Sequence, residues 1–200
     1  AMATNIPGIA EPIEGDGPIV LLGANGSGKT RLAVQLAQTG TAEFIPALRN
    51  IAIPDQIPNW TLQTATNELQ NRTNQRRNSY WELVPDIDAL FGKLWSSHAV
   101  EAMRVYDHVL QGAPPGELPE TVLTKTKELW KVVFPGRTIT FTDFTAKVTN
   151  DYLGAATYTA KHMSDGERTG LYLAGRVFDS QHSLVVVDEP ETHFHSRLAV

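Results

Sequence analysis

The sequence predicts an α/β fold interrupted by a helical insertion, and three observations carry that prediction. Near the N-terminus the apolar run at residues 18–22 enters a glycine-rich segment, and helical spacing follows from Lys29. Near the other end the aliphatic run Leu184–Val187 closes on Asp188 and Glu189. Short continuous aliphatic runs of this kind suit strands buried in a parallel sheet. Between residues 55 and 135 helical spacing dominates instead. Residues 4–54 and 136–200 are therefore expected to form the α/β core, and 55–135 the insertion.

Composition bounds what such a fold does. A chain of 200 residues suits one domain with a sizeable insertion. An apolar share of 42% and a charged share of 20% are those of an ordinary globular protein, which excludes collagen, coiled coil and general disorder. The net charge of -5 argues against a surface given over wholly to nucleic acid, while leaving room for a local basic stripe. With no cysteine, disulfides, thiolate zinc sites, iron-sulfur ligation and cysteine nucleophiles are excluded, and a cytoplasmic location is expected. No aliphatic run approaches the roughly 20 residues that cross a bilayer, so no membrane span is expected. Ala1-Met2-Ala3 reads as a cloning scar before a native start, and no signal peptide is evident.

The elements follow in order. Residues 18–22 read as a buried strand, 29–38 as a helix ending before Gly40, and 44–53, closed by Pro54, as a second strand. Residues 55–79 are rich in Asn, Gln and Thr and read as a surface excursion, with Arg72, Arg76 and Arg77 forming a solvated face in preference to a partner-docking patch. Ile87, Leu90, Phe91, Leu94 and Trp95 share one helical face, with Asp86 as cap. A second helix runs to Leu110 and a third spans 119–133. Residues 137–143 alternate with Ile139 and Phe141 inward, a strand with which 147–150 and 157–160 pair. A further helix opens at Ser164, and Leu184–Val187 is the last strand.

Gly23-Ala24-Asn25-Gly26-Ser27-Gly28-Lys29-Thr30 satisfies G-x-x-x-x-G-K-[ST] and lies between an expected strand and an expected helix. Glycines let successive amide N–H groups curl around a phosphate, Lys29 meets the outer phosphates, Thr30 offers a hydroxyl to magnesium, and the helix N-terminus adds its positive end. A chance match in such a chain is about one in a hundred from residue frequencies. Gly23, Asn25, Gly26, Ser27, Gly28, Lys29, Thr30 and Arg31 are thus the candidate nucleotide-binding residues, with Lys29 also a catalytic candidate.

At the far end, two carboxylates stand at the C-terminal edge of an expected strand, where open α/β sheets bind their ligands. Asp188 suits a magnesium shell. Glu189 suits the orientation and deprotonation of a water attacking a γ-phosphate. Ser164 and Glu167 form an S-x-x-E capping box, and Ser164 with Gly166 at a helix N-terminus also offers a second anion-binding edge.

The order GANGSGKT, MSDGER, LVVVDEPETHFH resembles the ATP-binding-cassette class of P-loop ATPases, in the soluble branch that holds the structural-maintenance-of-chromosomes and overcoming-lysogenization-defect proteins. The DEPE-x-H-x-H ending and the S-D-G-E turn look most like bacterial AAA-type ATPases of anti-phage and abortive-infection systems. The resemblance covers residues 18–40 and 160–198. It implies a P-loop NTPase sheet of cassette type, ATP and magnesium as cofactors, ATP hydrolysis, and protomers paired head to tail around nucleotide.

Carried over residue by residue, the resemblance gives Lys29 the phosphate, Thr30 and Asp188 the magnesium, and Glu189 the role of base. Ser164 and Gly166 would cap the γ-phosphate across the dimer. It also implies a protein effector of nuclease or toprim type, nucleic acid only through that partner, and no membrane. Asp165 departs from the double glycine of transporter signatures and speaks against a transporter. Gln56, Gln63 or Gln70 would supply the glutamine loop.

The switch histidine of the family would fall beyond Val200, so the C-terminal part of the fold is expected to be missing and hydrolysis to be weaker in this chain. His193 and His195 are expected in a loop between protomers rather than, with Glu191 and Asp188, in a metal site. The alternative function is a nucleotide-binding sensor or scaffold that holds an effector with little turnover. A DNA-repair-type ATPase is less favoured.

Overall fold

The computed structural model describes residues 2–4, 6, 11–15, 19–21, 24, 26–40, 42–46, 51–78, 85–112, 114 and 119–190. The expectations for Pro18, Leu22, Gly23, Asn25, Glu191, His193 and His195 lie outside these residues. The chain is mixed α/β and divides into two compact units, Ala1–Ala47 with Gln181–Glu189, and Leu48–Ser180 with Pro190–Val200.

In the first unit β1 (Met2–Thr4) pairs antiparallel with β2 (Ile13–Gly15), so residues read as a scar take part in a ladder. Helix α1 (Lys29–Gln38) follows the glycine loop, and β3 (Ala42–Ile45) runs parallel to β7 (Leu184–Val187), with Ala42 opposite Leu184 and Ile45 opposite Val187. Ala33, Val34 and Ala37 on the inner face of α1 pack on Phe44, with Val186 against them. Two strand expectations change. Ile19 and Val20 are exposed and residues 19–21 lie outside any strand, because an aliphatic run specifies a wish for burial and not a ladder partner. The second strand is Ala42–Ile45, not 44–53, and Pro46, which has no N–H to donate, follows it directly.

In the second unit the polar stretch read as an excursion is helix α2 (Leu62–Asn78). Its inner stripe runs Ala65, Leu69, Thr73, Arg76 at helical spacing, and Arg76 is only 4% exposed. An arginine closing the stripe hides the apolar period, which explains the misreading. Next comes one continuous helix, α3 (Ile87–Leu110), where two were expected, since no proline or packing break divides it. Gly92 on α3 admits Trp60 so closely that a Cβ there would lie 3.2 Å from its ring, and Ser96 Oγ donates to the Trp60 carbonyl at 2.7 Å.

Helix α4 (Val122–Val133) starts at a Thr121–Thr124 capping box. Strands β4 (Arg137–Thr142), β5 (Thr145–Asn150) and β6 (Ala156–Thr159) form an antiparallel sheet with β5 central, so the segment around 157 pairs with β5 rather than with β4. Their hairpin turns through Asp143 and Phe144 at φ 50° and 57°, and Phe144 is held there by Trp95, ring centroids 5.5 Å apart. Helix α5 (Asp165–Asp179) opens at Ser164 as expected, and Gly175 lets it approach Leu90 and Leu94 of α3. Leu90, Phe91, Trp130, Ile139, Val148 and Leu171 make the buried core of this unit.

Arg72 and Arg76 do not form a solvated face. Arg76 Nη2 lies 2.6 Å from Asp86 Oδ1, and Arg176 Nη1 lies 3.2 Å from Asp86 Oδ2, all three groups buried. Tyr172 Oη donates to Asp86 Oδ1 at 2.7 Å. Burial, and then the Asp86 charge, push the Tyr172 hydroxyl above its ordinary pKa, which keeps it a donor. Asp86 precedes α3 as expected, yet its side chain makes no cap bond because it serves this cluster. Arg72 pairs with Asp88 and donates to the Pro85 carbonyl at 3.0 Å. The Arg77 side chain lies outside the described residues.

Candidate functional site

The glycine loop is built by local backbone rules. Gly26 and Gly28 adopt φ 81° and 93°, the left-handed region open to glycine at little strain, and the Ser27 N–H closes a turn on the Ala24 carbonyl at 3.1 Å. Gly28 is the N-cap of α1. The Leu32 N–H bonds its carbonyl at 2.9 Å. No side chain caps this helix start and no acidic residue occupies its first turn. Among the described residues, nothing lies within 4 Å of a Cβ placed on Gly26 or Gly28. A helix N-terminus without a capping side chain suits an anion, which meets the positive end of the helix dipole.

Lys29 Nζ donates to the Ala24 carbonyl at 3.1 Å, folding its charge back over the loop. Thr30 Oγ1 donates to Asp188 Oδ2 at 2.8 Å, across 158 residues of sequence. Asp188 is held there because it follows β7 and its N–H continues the parallel ladder to the Ile45 carbonyl at 2.9 Å. The structure thus brings together Thr30 and Asp188, the two residues expected to share a metal. Arg31 is exposed on the first turn of α1. Glu189, next along, sits at φ 48°, a left-handed conformation that costs a non-glycine residue on the order of 1 kcal/mol and breaks the alternation of the strand.

These residues fit a magnesium-bound polyphosphate. Magnesium is usually held by one or two carboxylates together with phosphate oxygens, and a hydroxyl 2.8 Å from a carboxylate beside a glycine loop is such a donor set. Among the described residues no group of three or more His, Asp or Glu stands ready to hold a metal on protein ligands alone. Among the described residues, too, no helix is long and apolar enough to cross a membrane.

Ser164 and Gly166 belong to the second unit. Ser164 is exposed and Gly166 half-buried. Their helix start is closed, because Ser164 Oγ accepts the Glu167 N–H at 3.3 Å while Glu167 Oε2 accepts the Ser164 N–H at 2.8 Å and its hydroxyl at 2.9 Å. Tyr158 Oη donates to Glu167 Oε1 at 2.5 Å, and Arg137 Nε stands 3.4 Å from the same oxygen. Sequence reasoning found the box but missed these two partners, since nothing at their spacing marks them. Gln56 is exposed ahead of α2, and Gln63 and Gln70 are exposed on it, Gln63 donating to Asn67 at 2.9 Å.

Compared with known proteins, the chain matches no family model, and neither a curated protein nor a solved structure matches it.

Proposed function

We propose that the chain binds magnesium-ATP at the glycine loop and hydrolyses it, as a P-loop ATPase of cassette type. The observation that carries this proposal is the Thr30 to Asp188 hydrogen bond, which joins the end of G-x-x-x-x-G-K-T to the carboxylate after an aliphatic strand. A glycine-rich turn without a phosphate role has no need of that carboxylate. Amides of residues 26–30 and the Lys29 ammonium receive the phosphates, and the Thr30 hydroxyl and Asp188 carboxylate receive the metal. When bound, magnesium neutralises charge that develops on the phosphate oxygens. Glu189, turned out of the strand by its left-handed backbone, is the base that orients and deprotonates the attacking water.

The motif resemblance extends the proposal to a pair of protomers closing around nucleotide, with Ser164 and Gly166 acting on the γ-phosphate of the other protomer, and to control of an effector such as a nuclease in bacterial phage defence. Calorimetry tests the core of it. Lys29→Ala is expected to weaken magnesium-ATP binding at least tenfold, about 1.4 kcal/mol, and Thr30→Val to narrow the difference between binding with magnesium and with EDTA. Equal affinity in wild type and Lys29→Ala would reject the assignment.

A further inference from the structure

The carboxylate that closes the start of α5 is held more firmly than a helix cap requires. A capping box needs only its two residues. At α5 the buried Glu167 carboxylate also takes the Tyr158 hydroxyl from β6 and faces Arg137 of β4. Trp130 Nε1 of α4 donates to the Glu167 backbone carbonyl at 3.2 Å, fixing the same turn from a third side. Burial, followed by the bond to Glu167, pushes the Tyr158 hydroxyl above its ordinary pKa, so it remains protonated and donating. The other charges at the turn are Asp165 and Arg168, paired with each other at 2.5 Å.

The consequence lies in the single proton of a serine hydroxyl. Ser164 spends it on Glu167 Oε2, and its backbone N–H goes to the same oxygen. An arriving phosphate oxygen would meet a lone pair at Ser164 where it needs a donor. We propose that Glu167 is a positioning residue that latches Ser164, holding its proton inward so that the turn engages a nucleotide phosphate only when the carboxylate shifts, with Tyr158 and Arg137 setting the strength of the latch. This regulation rests on the nucleotide function proposed above, and loosening it is expected to increase phosphate engagement.

The experiment uses the full 200-residue chain, with ATP affinity from calorimetry and ATP-dependent self-association from sedimentation velocity. Tyr158→Phe is expected to leave ATP affinity within about twofold and to strengthen ATP-dependent association about tenfold, the equivalent of weakening one hydrogen bond to a charged group. Adding Ser164→Ala is expected to abolish that gain, which a purely structural role for Tyr158 would not produce. Should Tyr158→Phe fail to fold by circular dichroism, Arg137→Gln takes its place with the same expected gain. ATP binding with association unchanged or weakened, or a gain that survives Ser164→Ala, overturns the latch while the nucleotide function stands. Absence of ATP binding in wild type overturns both.

Discussion

Two helix N-termini in this chain solve the same electrostatic problem in opposite ways. Helix α1 begins at Gly28 with no side-chain cap and no acid in its first turn. Helix α5 begins at Ser164 with a complete capping box and both Asp165 and Glu167 in its first turn. Every helix start leaves amide donors without partners, and they are met by side chains, water or a ligand. At α5 the chain supplies its own anion; at α1 the N-cap is glycine, and relative to a capping side chain the first unit forgoes roughly a few tenths of a kcal/mol. The difference teaches that, of two turns proposed to meet phosphate, one has no capping side chain and the other is closed by the chain's own carboxylate.

The largest expected effect comes from giving α1 what α5 has. Gly28→Asp places a carboxylate at the N-cap, in the position proposed for the phosphate, and puts a Cβ at φ 93°. Magnesium-ATP affinity measured by calorimetry is expected to fall at least about 100-fold, near 2.7 kcal/mol. A loss under threefold would break the comparison.

The converse change, Glu167→Ala, opens α5. It removes the box and leaves Tyr158 and Arg137 without their carboxylate, so chemical denaturation is expected to register about 2 kcal/mol of destabilisation. Affinity of the glycine loop for ATP should stay within about twofold by calorimetry, since the two starts belong to different compact units. A parallel fall in ATP affinity would show that the two starts are not separable.

The smallest effect sharpens the comparison with a third start. His98 Nδ1 lies 3.0 Å from Thr121 Oγ1, the cap of α4, and burial, then the Lys127 charge, hold its pKa below the ordinary 6.5. A base whose folded pKa is lowered takes up its proton later than the unfolded chain does. Stability is therefore unaffected above pH 6.5 and falls as pH drops from there toward the lowered value. Urea titrations at pH 7.5 and 5.5 should differ less in His98→Gln than in wild type, and an equal difference would remove His98 as the cause.

What was legible in the sequence was local chemistry. The glycine loop declares itself because its backbone freedom, its lysine and its threonine are consecutive, and the α5 start because a box spans four residues. The strand Leu184–Val187 and its acidic end were legible as an aliphatic run with polar punctuation, although the strand is half-buried rather than buried, and the central hairpin from the alternation around Ile139. What resisted was whatever depends on a distant partner. Arg76 looks like a surface residue until Asp86 and Arg176 are beside it, and α2 was lost with it. Glu167 shows its cap in sequence, but Tyr158 and Arg137 reach it from separate strands. Residues 19–21 carry the pattern of a strand without the pairing, because composition does not name a neighbour.

The bond from Thr30 to Asp188 also has a kinetic meaning. It closes a span of 158 residues, and the β3 to β7 ladder beneath it joins the same two distant stretches of chain. Loop closure of that length is entropically unfavourable before any contact rewards it, so non-local pairing forms late. The first unit is then expected to assemble after the helices of the second and to open before them. Native-state hydrogen exchange checks this without ligand: amides of α1 and β3 should exchange faster than those around Leu90 and Leu171. Equal protection in both units would refute it. A nucleotide at 100 times its Kd adds about 2.7 kcal/mol to the state that binds it, and that protection should fall selectively on α1, β3 and β7. ATP would then act on this protein as the ligand that completes its folding.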